Sequence, residues 1–126
     1  MACTDIPIAI FANTQPGDRV VVFVTNCSPQ YYLNGDRTVT HPDGTRDRVS
    51  IPEAQLNQSS PLTYFFQQGE MFDVVLRFNP DSSVTGKKCE VHGRVVSGDG
   101  STVRFDWCTT IISGTTAPDV ALFGVK

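Results

Sequence analysis

The stretch KCEVHGRVVSGDGSTVRFDWC (residues 88–108) contains two strand-like segments and a turn between them. Apolar and polar residues alternate on both sides of the turn, and the apolar set is Cys89, Val91, Val95, Val103, Phe105 and Trp107. Period-two alternation is typical of strands with one face in a core and the other in water. Gly98-Asp99-Gly100 has the composition of a tight hairpin turn. The stretch therefore predicts an antiparallel hairpin with one buried face.

Apolar, β-branched segments of the same kind recur along the whole chain, separated by Gly, Pro, Asn and Asp. They are residues 6–12, 19–25, 37–41, 46–51, 62–66, 71–78, 88–96, 102–108 and 120–125. Short strands at this spacing are typical of all-β sandwiches and barrels. No linker divides the 126 residues, and only residues 52–58 have a helix-like composition. We expect one domain, residues 1–126, folded as a single antiparallel β-sandwich of jelly-roll type.

Two further expectations concern how these strands are covered. Residues 19–25 do not alternate, which predicts a central strand buried on both faces. Residues 71–78 do alternate, so their polar face is expected to continue that of the 88–108 hairpin in one sheet. The residues assigned to this shared face are Asp73, Arg77, Glu90, His92, Arg94, Arg104 and Asp106.

Composition excludes several classes of partner. The net charge is −3, so the chain lacks the basic field on which nonspecific nucleic-acid binding depends, and no nucleic-acid partner is expected. No apolar run approaches the roughly 18 residues of a membrane span, so no membrane insertion is expected. The start, MACTDIPIAIF, has no signal-peptide pattern. Either the protein is made without one, or the chain begins at the mature end with an added Met.

The four cysteines leave the compartment and the redox state open. They allow two disulfides in three pairings, or they are buried thiols. Sequons at residues 26–28 and 57–59 favour an extracellular, secreted protein, with a cytoplasmic location as the alternative. There is no Cys-x-x-Cys, no zinc-type histidine spacing, no Gly-rich phosphate loop and no Gly-x-Ser-x-Gly. We therefore expect no metal, no cofactor and no assigned catalytic residue.

The order of several segments resembles that of the galectin family of β-sandwich lectins. These segments are QPGDRVVVFV (15–24), QQGEMFDVVLRF (67–78), KCEVHGRVV (88–96), RFDWCTTI (104–111) and TAPDVALFGVK (116–126). The resemblance implies a galectin-like sandwich and carbohydrate binding. The family's galactoside motif, a His-x-Asn-Pro-Arg strand with a later Trp-Gly-x-Glu-x-Arg turn, is not present, and Trp107 is on a predicted core face. The resemblance thus implies the fold without the galactoside contacts.

THPDGTR (residues 40–46) is the first candidate site. Pro-Asp-Gly predicts a type I turn with Gly44 in the left-handed region, followed by a G1 bulge. This turn sets His41 opposite Thr45 and Thr40 opposite Arg46, so His41 and Arg46 lie on opposite faces.

The two faces of this hairpin have different predicted roles. One face has Val39, Val49 and Ile51, with His41 and Asp47 at its rim. The other is a polar, basic strip suited to hydroxyls, carboxylates or phosphates, formed by Thr38, Thr40, Arg46, Arg48 and Ser50. The alternative is an ordinary solvated hairpin face.

Two more polar stretches are candidates. In residues 31–36, Tyr32 is expected to point outward before an Asn-Gly turn, where it would form a stacking platform beside Asn34; the alternative is edge packing. The strip of Glu90, His92 and Arg94 has the residue types of a small ribonuclease or hydrolase. A cross-strand charge ladder would use the same residues without catalysis.

The sequence thus predicts a non-enzymatic binding module. The leading hypothesis is a lectin-like protein that binds a saccharide or glycoprotein through Tyr32, Asn34, Arg46 and Arg48. The alternatives are a secreted protein-interaction module, such as an effector or defence protein, that uses the same surface, and a small hydrolase around Glu90 and His92. A homo-oligomer stays open.

Overall fold

The computed structural model describes residues 3–6, 8–11, 14–26, 33–51, 58–78, 86, 88–114 and 120–125. Every segment predicted as a strand overlaps one, although the strand predicted at 37–41 begins at Leu33 and the one predicted at 102–108 ends at Ile112. The strands of the described residues are β1 (Ile8–Phe11), β2 (Arg19–Thr25), β3 (Leu33–Thr40), β4 (Arg46–Ile51), β5 (Leu62–Phe65), β6 (Met71–Phe78), β7 (Lys88–Val96), β8 (Val103–Ile112) and β9 (Val120–Val125). Over these ranges no helix has the length and apolar character needed to cross a membrane.

The strands form two sheets packed face to face, which confirms the predicted all-β sandwich. One sheet has five strands in the order β1-β9-β6-β3-β4, and the other has four in the order β5-β2-β7-β8. Every pairing is antiparallel except that of β1 with β9, which is parallel. Strand β2 lies between β5 and β7, as predicted, but it is not buried on both faces, because Val20 and Val22 are buried whereas Val21 on the opposite face is only partly buried.

The core lies between the two sheets and draws on the alternating residues of both. Its fully buried side chains include Val20, Val22, Phe72, Leu76 and Ile111. Burial of one such side chain contributes roughly 1.5–3 kcal/mol. The alternation in β6 and β7 thus predicted their buried faces correctly. The apolar residues face the core, and the intervening polar residues lie on the outside.

The expectation that β6 shares a sheet with β7 and β8 is wrong. Strand β6 belongs to the five-stranded sheet, so Asp73 and Arg77 lie on one outer side of the sandwich and Glu90 and His92 on the other. Alternation specifies which residues of a strand face the core, but a strand of either sheet satisfies that requirement equally.

Arg104 also departs from the predicted strip. The register between β7 and β8 shifts at Val95/Val96, where Val95 pairs with Phe105 and Val96 with Val103. Arg104 is therefore the extra residue of a β-bulge. Its side chain instead forms an ion pair with the buried carboxylate of Asp18, with Nε and Oδ2 2.9 Å apart.

Residues 34 and 35 do not form the predicted Asn-Gly turn, because β3 runs through them. Gly35 lies so close to β6 that a Cβ atom there would overlap the carbonyl oxygen of Val75. A glycine is needed here because β3 and β6 approach closely, and not because the chain turns.

The N-terminal segment is fixed along the outer edge of β8. The Thr4 amide donates to the Cys108 carbonyl at 3.0 Å, and the Thr110 amide donates to the Thr4 carbonyl at 2.8 Å. A disulfide joins Cys3 to Cys108, and Cys89 is also disulfide-bonded. These contacts cover residues 108–110 of the edge strand β8, whose backbone groups would otherwise be unpaired there.

Candidate functional site

The β3–β4 hairpin has the turn that its sequence predicted. The Gly44 amide donates to the His41 carbonyl at 2.9 Å, the His41 amide donates to the Thr45 carbonyl at 2.8 Å, and Gly44 has φ +89°. The Asp43 carboxylate accepts from the Thr45 hydroxyl at 2.7 Å and the Thr45 amide at 3.0 Å, and these bonds lower the pKa of Asp43. The turn is thus stabilised by its own residues.

The predicted register follows from this turn and is confirmed. Thr40 pairs with Arg46 and Thr38 pairs with Arg48. On the other face Val39 and Ile51 are buried, each 3% exposed, whereas Val49, on the edge strand β4, is 45% exposed although it was predicted to share that apolar face. Arg46 and Arg48 therefore share the outer face of the five-stranded sheet with the two threonines opposite them.

An ion-paired carboxylate lies beside these arginines. Arg48 Nη2 donates to Asp36 Oδ2 at 2.6 Å, and Arg77 Nη2 lies 3.6 Å from the same oxygen. The hydrogen bond from Arg48 lowers the pKa of Asp36, and the same bond raises the pKa of Arg48. Asp36 thus stays ionised and orients the guanidinium of Arg48, while Arg48 keeps most of its surface in water.

Arg46 is in a different situation from Arg48. It is exposed, and within the described ranges it forms no ion pair. Its charge acts across the face on Asp73, whose pKa is nevertheless raised because burial outweighs the attraction. Arg46 therefore offers guanidinium donors that an external acceptor can use without breaking a protein contact.

The outer face changes from polar to apolar across the sheet. A row of paired residues runs from Arg48 through Thr38 and Asp73 to Gly124 and then to Ile10 at the edge. Ile8 and Ile10 are 53% and 58% exposed, and Met71, paired with Thr40, is 41% exposed. This face, which we call the outer face of the five-stranded sheet, thus presents charged donors beside an apolar area.

Asn34 and Tyr32 are the other two predicted contacts, and of these the structure describes only the backbone position of Asn34. Asn34 occupies a position in β3 opposite Arg77, two residues from Asp36 and on the same strand. Tyr32 lies outside the described residues. Arg46, Arg48 and the position of Asn34 are therefore brought to one sheet, whereas the stacking role of Tyr32 stays a prediction.

His41 forms a cluster at the rim that the sequence predicted only in part. Its Nε2 lies 2.7 Å from Asp47 Oδ2, as their shared face indicated, and its Nδ1 lies 2.9 Å from Glu70 Oε2. Glu70 is buried and also accepts from the Tyr64 hydroxyl at 2.7 Å. No local pattern pointed to Glu70, because the β5–β6 loop reaches His41 only in the folded chain.

The electrostatics of this cluster favour a structural role. The hydrogen bond that His41 donates to Asp47, and to a smaller extent the one that it donates to Glu70, raises the pKa of His41, and burial raises the pKa of Tyr64 to about 12. With both ring nitrogens donating to carboxylates, the imidazolium has no lone pair for a substrate or a metal. The cluster joins the β3–β4 hairpin to the β5–β6 loop, next to a shallow cleft of about 570 Å³ lined by Phe66, Gln68 and Met71.

On the opposite sheet, Glu90 and His92 lie together around the Thr25 hydroxyl. Thr25 Oγ1 is 2.8 Å from His92 Nε2 and 3.5 Å from Glu90 Oε2. Arg94 does not complete a phosphate-binding set there, because it lies 3.5 Å from the Asp106 carboxylate and its guanidinium packs over the Phe23 ring.

Comparison of the chain with protein-family models, with curated proteins and with solved structures finds no match.

Proposed function

We propose that this protein is a non-enzymatic, extracellular carbohydrate-binding module that contacts a saccharide or glycoprotein through the outer face of its five-stranded sheet. The observation that carries the proposal is the pairing register, which sets exposed Arg46 and Arg48 beside Thr38 and Thr40. Planar guanidinium donors and hydroxyls are suited to the hydroxyl and carboxylate groups of sugars. Asn34, on β3, and Tyr32, which lies outside the described residues, complete the proposed contacts.

Pre-organisation supports this choice of face. Asp36 holds Arg48 in position before any ligand arrives, so less side-chain freedom is lost on binding. Arg46 supplies a donor group with no ion-pair partner in the described part of the chain. Met71 and the two exposed isoleucines provide apolar surface that the C–H faces of a pyranose can cover. The galectin-like order of segments agrees with a sugar-binding sandwich, although the galactoside motif is absent.

A glycan array that includes neutral and acidic saccharides tests the proposal. Wild-type protein is expected to bind a limited set of glycans, and Arg46→Ala and Arg48→Ala should each weaken that binding at least tenfold. Arg94→Ala is the matched control, because Arg94 is a partly exposed, ion-paired arginine on the opposite sheet. Absence of signal on every glycan would refute the carbohydrate proposal.

A protein-interaction module is the second candidate, and the exposed apolar area favours it. Ile8, Ile10 and Met71 lie on the same face as the arginines, and a mixed apolar and arginine-rich surface is typical of protein interfaces. If this candidate is correct, Ile8→Ser with Ile10→Ser abolishes capture of a glycan-free partner while Arg46→Ala has a smaller effect. The carbohydrate proposal predicts the reverse order of effects.

A further inference from the structure

Four potential metal ligands converge on the outer side of the four-stranded sheet. His92 on β7 is paired with Cys108 on β8, Glu90 lies two residues before His92 on the same outer face, and Cys3 reaches the site through the disulfide. One ligand atom from each of these four residues lies within 4.8 Å of all the others. Such convergence of two sulfurs, one imidazole and one carboxylate is the donor set of a zinc site.

The surroundings hold the imidazole in a position suited to ligation. The His92 ring stacks on Phe23 with a centroid distance of 4.7 Å and an interplanar angle of 2°. Its Nε2 points at the Thr25 hydroxyl and lies 3.8 Å from Cys108 Sγ. Stacking on Phe23 and the contact with Thr25 thus fix the imidazole beside the Cys108 sulfur.

The carboxylate is oriented in the same way. Asn26 Nδ2 donates to Glu90 Oε2 at 3.0 Å, and Thr25 Oγ1 lies 3.5 Å from that oxygen. These neighbours occupy the place that second-shell partners take around a bound metal, where they fix the orientation of the ligands. Thr25 is shared by the two ligands, so it can move its hydrogen bond to Glu90 when His92 Nε2 is engaged.

We propose that reduction of the Cys3–Cys108 disulfide opens a Zn²⁺ site formed by Cys3, Cys108, His92 and Glu90. Zinc–sulfur bonds of about 2.3 Å and a zinc–nitrogen bond of about 2.0 Å at the tetrahedral angle separate sulfur and nitrogen by roughly 3.5 Å. The Sγ–Nε2 distance of 3.8 Å is close to that separation. The Cys3 sulfur has to move away from Cys108 when the disulfide opens, and the ligand atoms of the four residues already lie within 4.8 Å of one another.

The chemistry of opening requires a reductant of the dithiol class. One thiolate of the dithiol attacks a disulfide sulfur, and the second thiol resolves the mixed disulfide, so the dithiol becomes a disulfide. Cys3 and Cys108 together gain two electrons and two protons. Binding of Zn²⁺ then releases both thiol protons, and the two thiolates balance its charge. In the reverse exchange a disulfide of the same class takes up the two electrons and becomes a dithiol, so that the Cys3–Cys108 bond closes and two of the four ligands are lost.

This site escapes a search for linear zinc motifs because its ligands come from three separate parts of the chain. Residue 3, the pair at 90 and 92, and residue 108 meet only after β7 and β8 pair and the N-terminal segment lines up beside β8. The sequence expectation of no metal rested on spacing alone.

Titration of the full-length chain with Co²⁺ and Zn²⁺ tests the proposal. A phosphine reductant under anaerobic conditions opens the disulfides without adding a competing thiol. The reduced chain is expected to take up one Co²⁺ with tetrahedral d–d bands and thiolate-to-metal charge transfer, and stoichiometric Zn²⁺ should abolish both. The oxidised chain should show neither signal. Circular dichroism follows the fold in each state.

Two substitutions distinguish the proposed site from adventitious thiol binding. His92→Gln and Glu90→Gln are each expected to weaken Zn²⁺ binding to the reduced chain at least tenfold. His41→Gln, the same change at the other histidine, should leave it unchanged. If the reduced chain unfolds, Zn²⁺ should refold the wild type at a lower concentration than it refolds His92→Gln. Equal Zn²⁺ affinity of the wild type and either ligand variant, whether folded or unfolded, would overturn the proposal.

Discussion

The two histidines of this chain lie in opposite electrostatic surroundings. His41 donates to Asp47 and Glu70, which raises its pKa above the ordinary value of 6.5, whereas burial lowers the pKa of His92 below that value. The folded protein therefore holds a proton on His41 that the unfolded chain releases, and it resists protonation of His92 that the unfolded chain accepts. The two residues make stability depend on pH in opposite directions.

Single substitutions separate these two contributions. The His41 contribution is complete below pH 6.5 and is lost as the pH rises through its raised pKa. The His92 contribution is complete above pH 6.5 and is lost as the pH falls through its lowered pKa. We expect His41→Gln to remove the alkaline decrease in the free energy of unfolding and His92→Gln to remove the decrease on the acid side. Urea unfolding of both variants at a series of pH values measures this; an unchanged alkaline slope in His41→Gln would contradict the assignment.

Gly35 provides a second prediction at the residue scale. An alanine Cβ there would overlap the Val75 carbonyl oxygen and lie 3.1 Å from the Leu76 Cα, and both are backbone atoms that cannot move aside as a side chain would. We expect Gly35→Ala to reduce the free energy of unfolding by about 3 kcal/mol. Gly44→Ala is the control, since it meets open space and is opposed only by its positive φ, at about 1–2 kcal/mol. Equal losses in the two variants would show that close approach is not the reason for Gly35.

At the scale of elements, the N-terminal segment depends on its disulfide. The Cys3–Cys108 bond closes a sequence separation of 105 residues and reinforces the two backbone hydrogen bonds of Thr4. Cys3→Ser combined with Cys108→Ala is expected to reduce the free energy of unfolding by about 2–5 kcal/mol, because a long loop gains freedom in the unfolded chain. Guanidinium unfolding under oxidising conditions measures the loss while Cys89 stays disulfide-bonded. A change below about 1 kcal/mol would mean that Thr4 alone holds the segment.

Local signals in the sequence predicted the elements and one register, but not how the strands are divided between sheets. The nine segments and the β3–β4 pairing depend on alternation and on the Pro42-Asp43-Gly44 turn, which are properties of short stretches. Alternation does not show whether β6 shares a sheet with β7, because a strand with one core face has the same pattern in either sheet. For the same reason the ion pair of Asp36 with Arg48 was not predicted.

The candidate sites show the same limit. Arg46 and Arg48 could be assigned to one face from the turn alone, because a two-strand hairpin fixes its own sides. The carboxylate of Glu70 and the sulfur of Cys3 reach their histidines from distant segments, and no pattern in the chain predicts these contacts. Sequence reasoning thus located the donors of the outer face and predicted only part of the two clusters that long-range packing assembles.

At the scale of the whole molecule, the sandwich has two outer sides with different chemistry. The five-stranded sheet presents arginines, threonines and an apolar area, whereas the four-stranded sheet presents the Glu90–His92 cluster beside a disulfide. The core between them separates the two sides, so substitutions on one side should leave binding on the other unchanged. Saccharide affinity should therefore be equal in the His92→Gln variant and the wild type, and direct titration of both with an array-selected glycan measures this.

The most direct test of carbohydrate binding on the outer face is a map of backbone amide chemical shifts during titration with a saccharide selected on the array. The account predicts that the perturbed amides cluster in β3, β4 and β6, at residues 33–40, 46–51 and 71–78, and that Arg46→Ala removes the perturbation. Perturbations confined to β7 and β8, at residues 88–96 and 103–112, would contradict it.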